Sequence, residues 1–163
     1  SWIYWQSVRG INLDGFSEMT LPRGVPAGFE PIFMVEPFTQ RIGPIYSKLD
    51  GANQFKLGFL VDESHLNIER VVHGGMLSTV ADQAIGINVA HANSQLNDVL
   101  TMHLSVDFIS PAVLGDWVEA TATLSKISGR VRFGNCELKV GERLVLKASA
   151  IFVARATQRL KPL

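Results

Sequence analysis

The chain of 163 residues has one cysteine, Cys136. That excludes an internal disulfide framework and any multi-cysteine metal site, and it points to a reducing cytoplasm. No apolar run approaches the ~20 residues that span a bilayer. Neither sign of charge is in surplus: Lys+Arg and Asp+Glu stand at 15 each. The chain therefore lacks the electrostatic footprint of a partner such as nucleic acid or an anionic membrane. The opening SWIYWQSVRG is aromatic but has no basic region followed by an apolar stretch and a small-residue cleavage site, so no secretory leader is read there. It starts with Ser, as a processed or trimmed end would. What remains is 47% apolar and 18% charged, the balance of one globular domain with a real core.

Prolines at 22, 26, 31, 37 and 44 break any long element in residues 1–44. This stretch reads as an irregular arm that packs over the core or over a partner subunit. EPIFMVEPF within it fits a short helix or an edge segment. Asp50-Gly51 then marks a hairpin turn between two strand-like runs in 44–62. After a polar connection, Met76, Leu77, Val80, Ala81, Ala84 and Ile85 recur at helical spacing. They predict a helix from about 74 to about 92 that fades in HANSQLND. From 101 the period becomes two. Met102, Leu104, Val106 and Phe108 alternate with Thr101, His103, Ser105 and Asp107. Three further strands follow, DWVEATATLSKI, VRFGNCELKV and RLVLKASAIFVAR, with turns at Ser128-Gly129-Arg130 and Gly141-Glu142. Regular strands with short turns predict a four-strand antiparallel meander. The tail, 155–163, is expected to fray. A single helix on such a sheet must be largely buried, with a narrow stripe, Gly75, Thr79, Asp82 and Gly86, left polar or small.

The four histidines, His65, His73, His91 and His103, form no H-E-x-x-H pattern, so no metal is expected. Ser78 lies inside the helix and outside any G-x-S-x-G elbow. Cys136 in a strand is expected to be a small packed hydrophobe. His73-Gly74-Gly75 is not a P-loop, and no βαβ unit surrounds it. Two glycines at a helix start supply no capping side chain. They do let a ligand approach the free N–H groups at the positive end of the helix dipole, where those groups can polarise a carbonyl and hold an oxyanion.

Asp82 is the companion puzzle. Asp is poorly suited to a helix interior, and Asp82 is too deep to benefit from the dipole at the N-terminus. No basic residue lies between His73 and His91 to pair with it locally. A catalytic carboxylate, as general base or nucleophile, fits better. At ~1.5 Å rise per residue, Asp82 lies about 10–12 Å along the axis from the glycines. One helix cannot bring both to one atom. Two helices related by a two-fold axis can, so the spacing argues for a site shared across a homodimer.

HLNIERVVHGGMLSTVADQAIG followed by TMHLSVDFISPA resembles the hotdog-fold acyl-CoA thioesterases of the phenylacetic-acid-degradation branch, over about residues 45–154. The family pattern is an Asn six before the His of H-G-G and an acid nine after it. Asn67 and Asp82 stand at those positions relative to His73. The resemblance implies an α+β hotdog fold, one long central helix wrapped by a curved antiparallel sheet. It implies an acyl-CoA thioesterase giving free acid and CoA, with no cofactor beyond the CoA of the substrate. It also implies a homodimer that pairs again into a dimer of dimers. By the same resemblance, the N–H near Gly74 or Gly75 polarises the thioester carbonyl. Asp82 of the other subunit activates water or attacks directly, Asn67 positions that water or the carboxylate, and His73 orients the turn and the thioester. Thr101, before Ser110-Pro111-Ala112, holds the place of an assisting hydroxyl, and equally that of an ordinary β-branched strand residue. Arg70 departs from the family, which has a small residue, often Gly, three before the His. It is open to three readings: a contact to a CoA phosphate, a solvated loop charge, or a sign of a modified pocket.

Two other functions stay open on the sequence. One is a hydratase or dehydratase of acyl thioesters on the same fold, with His73 as the available partner for Asp82. The other is a non-catalytic acyl-CoA-binding module. In the dimer, desolvation is expected to raise the pKa of Asp82 unless its ionised form is well hydrogen-bonded.

Overall fold

A computed structural model describes residues 21–32, 37–51, 54–92 and 99–154. The elements in chain order are β1 (Glu30–Pro31), α1 (Pro37–Ile42), β2 (Tyr46–Leu49), β3 (Phe55–Leu60), a 3₁₀ turn (Glu63–His65), α2 (Gly74–His91), β4 (Val99–Phe108), β5 (Trp117–Lys126), β6 (Val131–Val140) and β7 (Arg143–Ala154). The strands form one antiparallel sheet in the order β1-β2-β3-β5-β6-β7-β4. The sheet curves around α2, as a hotdog fold does.

The helical periodicity has its cause in this packing. Val80, Ala81, Ala84, Ile85 and Val89 are wholly buried against Leu57, Phe59, Val118, Leu138 and Leu146 of the sheet. Small residues let the two layers approach closely. A Cβ on Gly134 would lie 2.6 Å from Ile85 Cγ2, so β6 can run under the helix only with glycine there. One buried polar residue pins α2 lengthwise. The Asn88 amide accepts from Phe55 N–H at 2.8 Å and donates to Phe55 O at 2.8 Å, supplying the hydrogen bonds a neighbouring strand would make.

The predicted meander needs correction. β5, β6 and β7 are consecutive neighbours, but β4 pairs with β7 at the far edge, as in Val106↔Ala148. Tight turns join β5 to β6 and β6 to β7. The link from β4 to β5, residues 109–116, instead contains Pro111 and folds on itself, with Asp116 N–H bonded to Val113 O and Gly115 at φ +84. It carries the chain across to pair β5 with β3.

The arm is partly built into this unit. Phe29 is buried on the outer face of the sheet, edge-on to Trp117 with centroids 4.9 Å apart. β1 extends the sheet through β2, and α1 then reaches the helix side, where Thr39 is buried. A cis peptide precedes Pro44. Residues 1–20, 33–36, 52–53, 93–98, over which the helix is expected to fade, and the tail at 155–163 lie outside the described residues.

Candidate active site

The loop that leads into α2 is fixed from both sides. Asn67 Oδ1 accepts from Glu69 N–H at 3.0 Å and Val71 N–H at 3.3 Å, while Asn67 N–H donates to Val71 O at 2.8 Å. The Asn67 carbonyl oxygen is thus committed to a turn, and its NH₂ group is the side-chain donor that remains. Arg70 occupies that turn at φ +61, the left-handed region where glycine is at ease. This is the physical content of the departure noted above: the backbone wants glycine at 70, and arginine stands there. Its guanidinium forms a two-pronged pair with the exposed Glu63, at 2.7 and 2.8 Å. That bond to Arg70 holds the Glu63 carboxyl below its ordinary range.

Two backbone contacts then place His73. Val72 N–H donates to Ala112 O at 2.8 Å, and His73 N–H donates to His65 O at 2.8 Å. His65 is a packed histidine rather than a ligand. Its Nδ1 accepts from Asp62 N–H at 3.0 Å, so Nε2 carries the proton that it donates to Ile42 O, also at 3.0 Å. The 3.5 Å approach of Nδ1 to Asp62 is therefore no ion pair. The Asp62-x-x-His65 spacing is a capping box, a signal present in the sequence.

His73 itself caps α2. Its Nδ1 accepts from Gly75 N–H at 2.8 Å. A backbone N–H can only donate, so Nδ1 is bare and a neutral ring presents Nε2–H outward. The two glycines thereby separate in role. Gly75 N–H is taken by the cap, and a Cβ there would lie 3.0 Å from His73 Nδ1. Gly74 N–H has no acceptor among the described residues, and a Cβ on Gly74 would lie 3.0 Å from the Phe108 ring. Gly74 is thus both a free donor and a close-packing position. The hydroxyls of Ser78 and Thr79 donate back to Gly74 O and Gly75 O, at 2.8 and 2.9 Å.

Two turns further along, Asp82 is half-buried on the polar stripe. Its Oδ1 accepts from the Thr101 hydroxyl at 2.9 Å. Strict alternation put Thr101 in the polar set, opposite Leu104, Val106 and Phe108. A β-bulge reverses this. Pairing runs Thr101↔Phe152 and then His103↔Ile151, leaving Met102 as the extra residue. The bulge puts Thr101 on the helix face together with Leu104 and Val106.

One chain therefore gathers the predicted residues into two groups. Asn67, His73, Gly74 and Gly75 lie at the helix start, with Arg70 turned to Glu63. Asp82 and Thr101 lie about 12 Å along the axis, at ~1.5 Å per residue. Sequence reasoning missed Gln83, whose Nε2 donates to Thr39 Oγ1 at 2.6 Å across 44 residues, and no local pattern announces such a pair. Concavities of about 330 and 490 Å³ lie elsewhere, around His91 and Lys126 and around Phe133 and Ile151. Among the described residues, no cluster of three or more His, Cys, Asp or Glu has metal-binding geometry, and no helix is long and apolar enough to cross a membrane.

Known proteins resemble this chain in sequence and in fold. Residues 69–147 match the model of the Thioesterase superfamily. A Pseudomonas aeruginosa protein named "Putative esterase PA0474" is 36% identical over 128 residues, spanning 78% of this chain and 96% of its own length. The solved E. coli PaaI protein, from the phenylacetic acid degradation operon, superposes with a TM-score of 0.64 at 21% identity, covering 75% of this chain and 86% of its own. BH2602 from Bacillus halodurans, solved with CoA, gives 0.68 at 16% identity, covering 78% and 83%. The chain belongs to the thioesterase superfamily and has its hotdog fold. Membership supports thioester hydrolysis as its class of reaction.

Proposed function

We propose that this protein hydrolyses an acyl-CoA thioester to the free acid and CoA, at sites shared between two copies of the chain. The observation that carries this reading is the Asp82–Thr101 hydrogen bond on the helix stripe, together with a free Gly74 N–H two turns away. In a two-fold dimer, Gly74 N–H of one protomer binds the thioester carbonyl oxygen, and the helix dipole favours the negative charge that grows there. Asp82 of the other protomer acts on the carbonyl carbon. It either takes a proton from the attacking water or attacks first and leaves an acyl anhydride for water to open. In both routes the C–S bond breaks, water oxygen joins the acyl carbon, and CoA leaves as the thiol. Thr101 orients the carboxylate, while the Asn67 NH₂ and His73 Nε2–H donate to the water or the thioester.

The edge strand supports the pairing. Leu100, Met102 and Phe108 of β4 are half or more exposed in the single chain, an apolar edge of the kind a second copy covers. CoA as the leaving group draws support from the CoA in the BH2602 structure. The hydratase reading loses ground, because Nδ1 of His73 is already engaged by Gly75 N–H and cannot serve as the base. The protein is expected to be cytoplasmic and to work as a dimer or a dimer of dimers, with no cofactor.

The test is thiol release from short-, medium-chain and aromatic acyl-CoAs. Asp82→Ala should lower the rate by roughly 10²–10⁴-fold. Release that survives in Asp82→Ala, or binding without release in the unmodified protein, would overturn the reading. The assay is clean in the folded enzyme, since burial pushes the Cys136 thiol up to about 12.

A further inference from the structure

Three faces of α2 surround Asp82. Ala81, Ala84 and Ile85 are wholly buried against the sheet and leave no room for a ligand. The stripe itself meets Thr101. The third direction belongs to Gln83, the next residue along the chain. Gln83 is half-buried, and its amide reaches the arm through the short helix α1.

This contact is held in an unusual way. Thr39 is 4% exposed, and its Oγ1 accepts from Gln83 Nε2 at 2.6 Å. The oxygen of that amide, Gln83 Oε1, is buried with no hydrogen-bond partner among the described residues. At its far end α1 is tied by His65 Nε2–H to Ile42 O at 3.0 Å. The carbonyl of the same His65 holds His73 N–H. A helix of six residues has no stability of its own, so α1 exists as a helix only while docked. Two polar ties therefore join one small removable element to both halves of the site.

We propose that Gln83 is the acyl-selecting residue and that α1, latched to it through Thr39, is the wall against which the acyl group rests. This deepens the thioesterase reading and rests on it. An acyl carbon chain bonded to a carbonyl at Asp82 meets Gln83 within its first few carbons. The Gln83–Thr39 pair then limits its width, and α1 yields or clashes according to acyl size. Gln83 makes no contact with the reacting atoms and is a specificity-determining residue, not a catalytic one.

The experiment measures kcat/KM for acetyl-, butyryl-, octanoyl- and benzoyl-CoA in the full chain, in Gln83→Ala and in Thr39→Val. Gln83→Ala removes the side chain, and Thr39→Val breaks the tie while keeping its shape. The expected result is a change in the ratio of octanoyl or benzoyl to acetyl turnover of on the order of tenfold in Gln83→Ala. Thr39→Val should shift the ratio the same way by less. A parallel fall for all four substrates, which a general packing defect would give, overturns the proposal. So does an unchanged ratio in both variants. If the unmodified protein releases no thiol from any substrate, the thioesterase reading fails and this inference fails with it.

Discussion

Thr101 Oγ1 donates to Asp82 Oδ1 at 2.9 Å, from a strand position that alternation alone would turn away from the helix. The extra residue, Met102, rotates the strand so that the hydroxyl faces the carboxylate. Hydrogen bonds to a charged group are worth about 1.5–3 kcal/mol. Thr101→Val should therefore lower kcat roughly 10–100-fold while leaving KM little changed, at about tenfold per 1.4 kcal/mol. Thr101→Ser should restore most of the loss. Equal kcat in Thr101→Val and the unmodified protein would show that the contact is not used.

The separate roles of the two glycines make a second prediction. Gly74→Ala pushes a methyl group into the Phe108 ring, at 3.0 Å, beside the free N–H. Gly75→Ala pushes one against His73 Nδ1, also at 3.0 Å, and loosens the cap. Gly74→Ala should cost about 10²-fold or more in kcat, the scale of a lost oxyanion donor. Gly75→Ala should act mainly on stability, by about 1 kcal/mol, the usual worth of a cap. Paired kinetics and thermal melts separate these outcomes, and the reverse ranking would assign the oxyanion to Gly75.

Much of this architecture was legible because its causes are local. The helix observed at Gly74–His91 follows from apolar spacing, and the turns at Asp50-Gly51 and Gly141-Glu142 from the residues such turns need. The H-G-G start and Asp82 were visible as a clash with helix propensity. The place of β4 was not, because strand order depends on contacts between distant segments. The bulge was hidden for a different reason: Met102 is apolar and fits the alternation it interrupts. Gln83–Thr39 and His65–Ile42 join residues 44 and 23 apart, and no spacing rule reaches that far.

Arg70 tests how a turn tolerates the wrong residue. Its φ of +61 favours glycine, while its bond to Glu63 sits in open solvent. Arg70→Gly should relieve backbone strain and lose little else. The greater freedom of glycine in the unfolded chain offsets part of the gain, so Tm should stay within about 4 °C of wild type. With Arg70 held by Glu63, KM for acyl-CoA should change less than about threefold. A tenfold rise in KM would show that Arg70 leaves Glu63 for a phosphate of CoA.

His91 supplies a pH dependence whose sign can be worked out. Burial holds its pKa below the ordinary 6.5, its Nε2 is buried with no partner among the described residues, and its ring stands edge-on to Phe55 with centroids 4.9 Å apart. The folded chain therefore prefers the neutral ring, and the unfolded chain takes up a proton first as pH falls. Stability due to this group is present above pH 6.5 and is lost as pH drops through 6.5 toward the lowered folded value. Lys126 lines the same hollow, so a protonated ring would also face a second cation there. His91→Phe keeps the ring contact and removes the titration. Its Tm should fall less steeply than that of the unmodified protein between about pH 7.5 and 5.5. Parallel slopes in the two proteins would place the acid sensitivity elsewhere.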